Sequence, residues 1–239
     1  MTIKYNIHKS YDRGQSDHGW LKANFSFSFS DYHNPKRMGF GALRVLNDDI
    51  IEKNSGFPMH PHQDMEIISI IQSGEIFHKD SEGYSDSIKP GEIQTMSAGT
   101  GVFHSEMIGD EDVESLQIWI EPRKLNIKPR YNKKQLDNLK ENHLNLIISD
   151  ELNHMPNTHK INQNTYFSLG EFSENKTIKY SNYKNGNGIF IFIIRGEIEF
   201  EGKKIEQKDS LEITNTNHIE FIVKKDTKVL LIEVEMNEY

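Results

Sequence analysis

The chain has 239 residues, 28 basic and 36 acidic side chains, a formal net charge of −8, and no cysteine. Lack of cysteine excludes disulfides, thiolate zinc sites, iron–sulfur clusters and cysteine nucleophiles, and the acidic balance argues against direct nucleic-acid contact, which takes a basic footprint. The length suits one large domain or two of about 100–150 residues. No apolar stretch nears the roughly 20 residues of a membrane helix, and the polar N-terminus is no signal peptide. A cytoplasmic protein without a membrane partner is therefore expected.

From the N-terminus, Phe25, Phe27 and Phe29 alternate with Ser26, Ser28 and Ser30. That period of two predicts a strand with three phenyl rings on one face. The apolar runs Glu66 to Ile71, Leu116 to Ile120 and Gly188 to Ile194 predict buried strands. Turns punctuate them at Ser73-Gly74, Lys89-Pro90-Gly91, Ala98-Gly99-Thr100-Gly101, Arg195-Gly196 and Glu201-Gly202. The expected fold is all-β, of sandwich or barrel type. The exception is Asn132 to Asn142, where Leu136 and Leu139 sit three apart and predict a short helix after Pro122 and Pro129. The domains expected are 1–125, a linker with that helix at 126–142, and 143–239. A repeat supports the division: Ile70-Ile71-Gln72-Ser73-Gly74-Glu75-Ile76 parallels Ile193-Ile194-Arg195-Gly196-Glu197-Ile198.

Candidate chemistry concentrates in His60-Pro61-His62, Glu66, and His104-Ser105-Glu106. Residues i and i+2 of a strand share a face, so each pair presents its groups side by side. Pro61 favours an extended His60 and a strand edge. If the two strands face one another inside a barrel, three imidazoles and one carboxylate meet. Such a set suits Fe, Mn, Co, Ni, Cu or Zn with open positions left over. Glu66 shares the parity of 60 and 62, and stands as a further ligand, a partner fixing a histidine tautomer, or a solvated carboxylate; the second is favoured. Trp20 and Trp119 are read as packing anchors.

The run Gly56-Phe57-Pro58-Met59-His60-Pro61-His62, with Asp64-Met65-Glu66-Ile67 and Gly74, resembles the first cupin motif in its pirin-family form. Gly91-Glu92-Ile93-Gln94, Met96, Ala98-Gly99, Gly101 and His104-Ser105-Glu106 resemble the second. Asp17-His18-Gly19-Trp20-Leu21 and Gly41-Ala42-Leu43-Arg44-Val45-Leu46 are similar to the bacterial branch, with Asn24 where a His is common. The likeness is dense to about residue 125 and loose beyond.

The resemblance implies two jelly-roll cupin barrels in tandem, with one divalent transition-metal ion in the first. Fe(II) is the expected metal, with Ni, Mn, Co, Cu or Zn also accommodated. Its ligands would be His60, His62, His104 and Glu106. The implied activity is that of a quercetin 2,3-dioxygenase, which opens a flavonol with O2 and releases CO, with Glu106 as general base. A small flavonol-like substrate and O2 are then the partners. Phe40, Phe57, Met59, Met96 and Phe103 are the pocket candidates. The alternative is a non-enzymatic, redox-dependent metal protein of pirin type that contacts a protein partner such as a transcription regulator. Carried over to the second half, the repeat puts Asn182 and Lys184 at the histidine positions and Gly188 at that of Glu66. No His-x-His follows residue 125, so the second barrel is expected to be metal-free.

Overall fold

A computed structural model describes residues 2–236. Numbered in chain order, its strands form four sheets. A seven-stranded sheet runs β12 (Arg130–Gln135), β9 (Glu92–Ser97), β6 (Glu66–Ser73), β11 (Val113–Ile120), β4 (Leu43–Ile51), β3 (Leu21–Phe25) and β2 (Gly14–Asp17). It faces a four-stranded sheet of β5 (Gly56–His62), β10 (Val102–Ile108), β7 (Ile76–Asp80) and β8 (Ser85–Ile88). The second half repeats the plan. Its larger sheet runs β1 (Lys4–His8), β20 (Ser210–Thr214), β17 (Gly188–Arg195), β22 (Thr227–Val234), β15 (Tyr166–Phe172), β13 (Leu144–Asp150) and β14 (His159–Ile161). Its smaller one holds β16 (Lys176–Ser181), β21 (His218–Val223), β18 (Glu197–Phe200) and β19 (Lys203–Glu206).

The two large sheets pack against each other, which explains why their strands read as continuous apolar runs rather than alternating ones. On β17, Phe190, Phe192 and Ile194 enter the core between the barrels, while Ile189, Ile191 and Ile193 fill the C-terminal barrel. On β11, Leu116, Ile118 and Ile120 take the shared core. The alternate positions Ser115, Gln117 and Trp119 therefore turn into the N-terminal barrel. The sequence repeat marks equivalent hairpins, β6 to β7 and β17 to β18. Gly74 and Gly196 turn them with φ of 75° and 83°, and a Cβ at either would strike backbone, of Asp112 and Thr227 respectively.

The barrels exchange edge strands. The N-terminal β1 pairs with β20 of the second barrel, while β12 pairs with β9 of the first. Ion pairs reinforce the crossing, with Lys208 Nζ 2.6 Å and Arg13 Nη1 3.3 Å from the Asp48 carboxylate.

Two local expectations are overturned. Arg130 to Gln135 is a strand, and no helix covers 126–142: Asn138 and Asn142 adopt φ of 62° and 60°, which breaks a helix on either side of Leu139. The phenylalanine run leaves the strand at Phe25. Guanidinium groups take its next carbonyls, Arg37 bonding Ser26 O and Arg44 bonding Ser28 O. The rings then part, Phe25 into the barrel core, Phe27 into the shared core, and Phe29 to the site described next.

Candidate metal centre

Strands β5 and β10 run antiparallel, with His104 opposite His60 and Val102 opposite His62. Same-face neighbours across a ladder are close, and here the ring centroids of His60, His62 and His104 lie 4.4–4.8 Å apart. One nitrogen from each falls within 4.8 Å of the others. A register shift follows between His104 and Glu106, which sets Glu106 against Phe57. The Glu106 carboxylate lies outside that tight group of nitrogens but on the same inner face. Its Oε2 accepts from Gln117 Nε2 at 3.0 Å, and Gln117 Oε1 accepts from Ser69 Oγ at 3.0 Å.

Burial keeps the His62 and His104 rings neutral. It pushes His62 down to about 4 and His104 to about 2, neighbouring imidazoles adding to the effect. His60 Nδ1 bonds Pro58 O at 2.7 Å, so its proton lies there and Nε2 keeps a lone pair. Glu106 is raised, first by burial. Imidazoles beside a carboxylate are a donor set for first-row transition metals. Two atoms also call for a cation: His104 Nε2 and Glu106 Oε1 are buried without a hydrogen-bond partner. The residues fit a metal ion.

A cavity of about 230 Å³ opens beside the cluster, walled by His60, His62, Phe29, Phe57, Ile76 and Trp119. Asn47, Asp49, Ser69, Ser115, Gln117 and Glu106 form its polar side. Trp119 stands edge-on to His62 at 4.9 Å, so it is part of the site as well as an anchor. Asn47 and Asp49 each keep a buried oxygen without a partner. Desolvation, then the charge of Asp48, lifts Asp49 to about 8. A larger groove of about 480 Å³ runs between the barrels past Leu136, Glu171 and Lys228, but none of the three histidines borders it.

Several sequence expectations shift. Of the five pocket candidates only Phe57 lines this cavity. Met59 and Phe103 are 51% and 52% exposed, because they occupy the alternate, outward positions of β5 and β10. Phe40 packs in the shared core near Phe190, and Met96 in a small cluster with Ile67 and Val102. Glu66 turns away. The chain changes sheet between His62 and Glu66, through Asp64 at φ 46°, so parity does not carry across. Glu66 Oε2 instead accepts from Ser97 Oγ at 2.9 Å and Asn162 N at 3.3 Å. The residues missed were Asn47, Asp49, Ser69 and Gln117, together with His78 and Asp80 behind His104. A polar side chain interrupting an apolar run was the signal available for Ser69 and Gln117.

Tandem cupin barrels with a three-histidine cluster in the first define a bicupin. A family model described as Pirin matches residues 7–120, and one described as Quercetinase C-terminal cupin domain matches 146–234. A protein of Escherichia coli K12 named quercetin 2,3-dioxygenase is 34% identical over 230 residues, covering 95% of this chain and 97% of its own. A Caulobacter vibrioides pirin-like protein is 32% identical over 227 residues, covering 94% and 97%. The crystal structure of the Escherichia coli bacterial pirin YhhW in complex with nickel(II) superimposes with a TM-score of 0.91 at 32% identity, covering 98% of this chain and 100% of that one. The chain belongs to the pirin family. Among the described residues no helix is long and apolar enough to cross a membrane.

Proposed function

We propose that this protein is a mononuclear-metal dioxygenase of quercetin 2,3-dioxygenase type, holding one divalent transition-metal ion, Fe(II) by expectation, on His60, His62, His104 and Glu106. The observation that carries the reading is the convergence of the His60, His62 and His104 imidazoles beside a cavity whose wall includes the buried carboxylate of Glu106. The nickel in the YhhW structure supports a metal here without choosing its identity.

The metal, when bound, supplies Lewis acidity that stabilises the anion of a substrate hydroxyl. Glu106 Oε1 is the free acceptor in reach of the site, and receives the hydroxyl proton as general base. Burial raises its proton affinity, and the Gln117 amide keeps its other oxygen fixed. Phe29, Phe57 and Trp119 hold an aromatic ring and exclude water. The partnerless oxygens of Asn47 and Asp49 favour a substrate with hydroxyl donors. The cavity, about 230 Å³, is smaller than the roughly 300–1,000 Å³ of typical ligand sites, so it encloses one end of a flavonol.

The test is CO release from quercetin by metal-loaded wild type and by His62→Ala, with elemental analysis of each. One metal ion per wild-type chain, turnover, and loss of both in the variant are expected. A loaded wild type that releases no CO refutes the flavonol activity and leaves a metal-dependent binding protein, with a protein partner, as the reading.

A further inference from the structure

Resting on the metal reading above, we propose that His78 and Asp80 are positioning residues that set which nitrogen of His104 is bare. Both lie on β7, alongside β10, where Asp80 pairs with His104 and His78 with Glu106. They are two apart, so they share the inner face, and only 1% and 7% of their surfaces are exposed. Asp80 Oδ1 accepts from the backbone N–H groups of Glu82 and Tyr84, each at 3.0 Å. That locks the carboxylate. Its Oδ2 lies 2.9 Å from His78 Nε2.

A carboxylate only accepts, so His78 carries its proton on Nε2 and keeps a lone pair on Nδ1. That Nδ1 is 3.4 Å from His104 Nδ1, at the long end of hydrogen bonding. His104 Nδ1–H therefore donates to it. The outcome is a bare Nε2 on His104, the buried atom that has no partner. Tyr131 stacks on His78 at 4.6 Å and 27°, which fixes the ring plane. His60 has its tautomer set differently, by the Pro58 carbonyl. His78 is no fourth nitrogen ligand, since each of its nitrogens already has a partner.

Asp80→Asn inverts the relay at nearly constant shape. Two N–H donors hold the Oδ1 position, so the amide oxygen must sit there and the NH2 group must face His78. His78 Nε2 then accepts, its Nδ1 carries the proton, and His104 is driven to protonate Nε2, the nitrogen a metal needs. Loss of such a supporting partner lowers metal affinity by roughly 10–100-fold. The dissociation constant for Ni(II), measured by competition with a chelator, should rise by that factor in Asp80→Asn. Imidazole 15N spectra of the metal-free protein, at a pH where the rings are neutral, provide a readout that needs no variant. They should show His78 protonated at Nε2 and His104 at Nδ1 in the wild type, and both reversed in Asp80→Asn. Wild-type His104 protonated at Nε2, or an unchanged affinity in a folded Asp80→Asn, overturns the relay. A wild type with the expected tautomers that binds no Ni(II) overturns the metal reading instead.

Discussion

Glu66→Gln separates two roles for a carboxylate that the sequence placed beside the metal and the structure places between the barrels. Burial raises its pKa from the ordinary 4.5 to about 7, against the opposing pull of Ser97, Asn162 and the Arg130 charge. The folded protein thus holds a proton that the unfolded chain releases near 4.5. Stability from this group is complete below that pH and is lost as pH climbs through 7. The span is about 2.5 pH units at about 1.4 kcal/mol each, or about 3 kcal/mol. Glutamine copies the protonated form and does not titrate. Urea unfolding of both proteins at pH 5 and pH 9 should therefore show the variant gaining most of that 3 kcal/mol on the wild type between the two. Ni(II) affinity should be unchanged, because Glu66 bonds to Ser97 and Asn162. Parallel pH profiles would refute the desolvation argument, and a tenfold loss of metal affinity would restore Glu66 to the metal site.

Three further outcomes follow from the same geometry. Glu106→Gln should depress turnover by 10²-fold or more, the lower range for a lost general base, while metal content measured by elemental analysis falls less; equal loss of both would make Glu106 purely a ligand. Phe190→Ala, which empties a fully buried ring position facing Phe27 and Phe40 in the shared core, should cost about 3–5 kcal/mol in urea titration. Deleting residues 1–8 should expose the edge of β20 that β1 covers. Light scattering on heating should then show aggregation at a lower temperature than in the full chain.

What could be read from the sequence was whatever depended on spacing within one strand. His60 and His62 are an i, i+2 pair, and the fold needed only to bring the strand of His104 against theirs. His78-Lys79-Asp80 carries the same spacing and was equally open to that reasoning. Parity does not carry from His62 to Glu66, because between them the chain passes to another sheet. Met59 and Phe103 neighbour the histidines in sequence, but the period of two sends them outward. Asn47, Asp49 and Gln117 reach the cavity from β4 and β11, and no local pattern specifies that those strands face β5 and β10. The helix expected around Leu136 rested on two leucines alone. Leu136 packs on the shared core from the end of an edge strand instead, a position decided by β9 rather than by its own neighbours.

The two barrels show how one frame serves different ends. Ladder register equates them position by position: Ser69 opposes Gln117 on β6 and β11, where Ile191 opposes Leu231 on β17 and β22. Ile71 opposite Ser115 likewise becomes Ile193 opposite Val229. The polar wall behind the histidines is thus apolar in the second barrel, where those residues join one packed cluster with Ile178, Ile219 and Phe221 from the smaller sheet. Topology also corrects the repeat arithmetic, since the counterpart of β5 is β16, which ends at Ser181, before Asn182 and Lys184. That packed interior backs the shared core between the two large sheets. Packing there matters to the site, because Gln117 and Trp119 reach the cavity from β11, whose other face, Leu116 and Ile118, lies in the shared core with the second barrel. Packing in the C-terminal half is in this way a condition for the geometry around Glu106 and His62, although it contributes no side chain to the cavity wall.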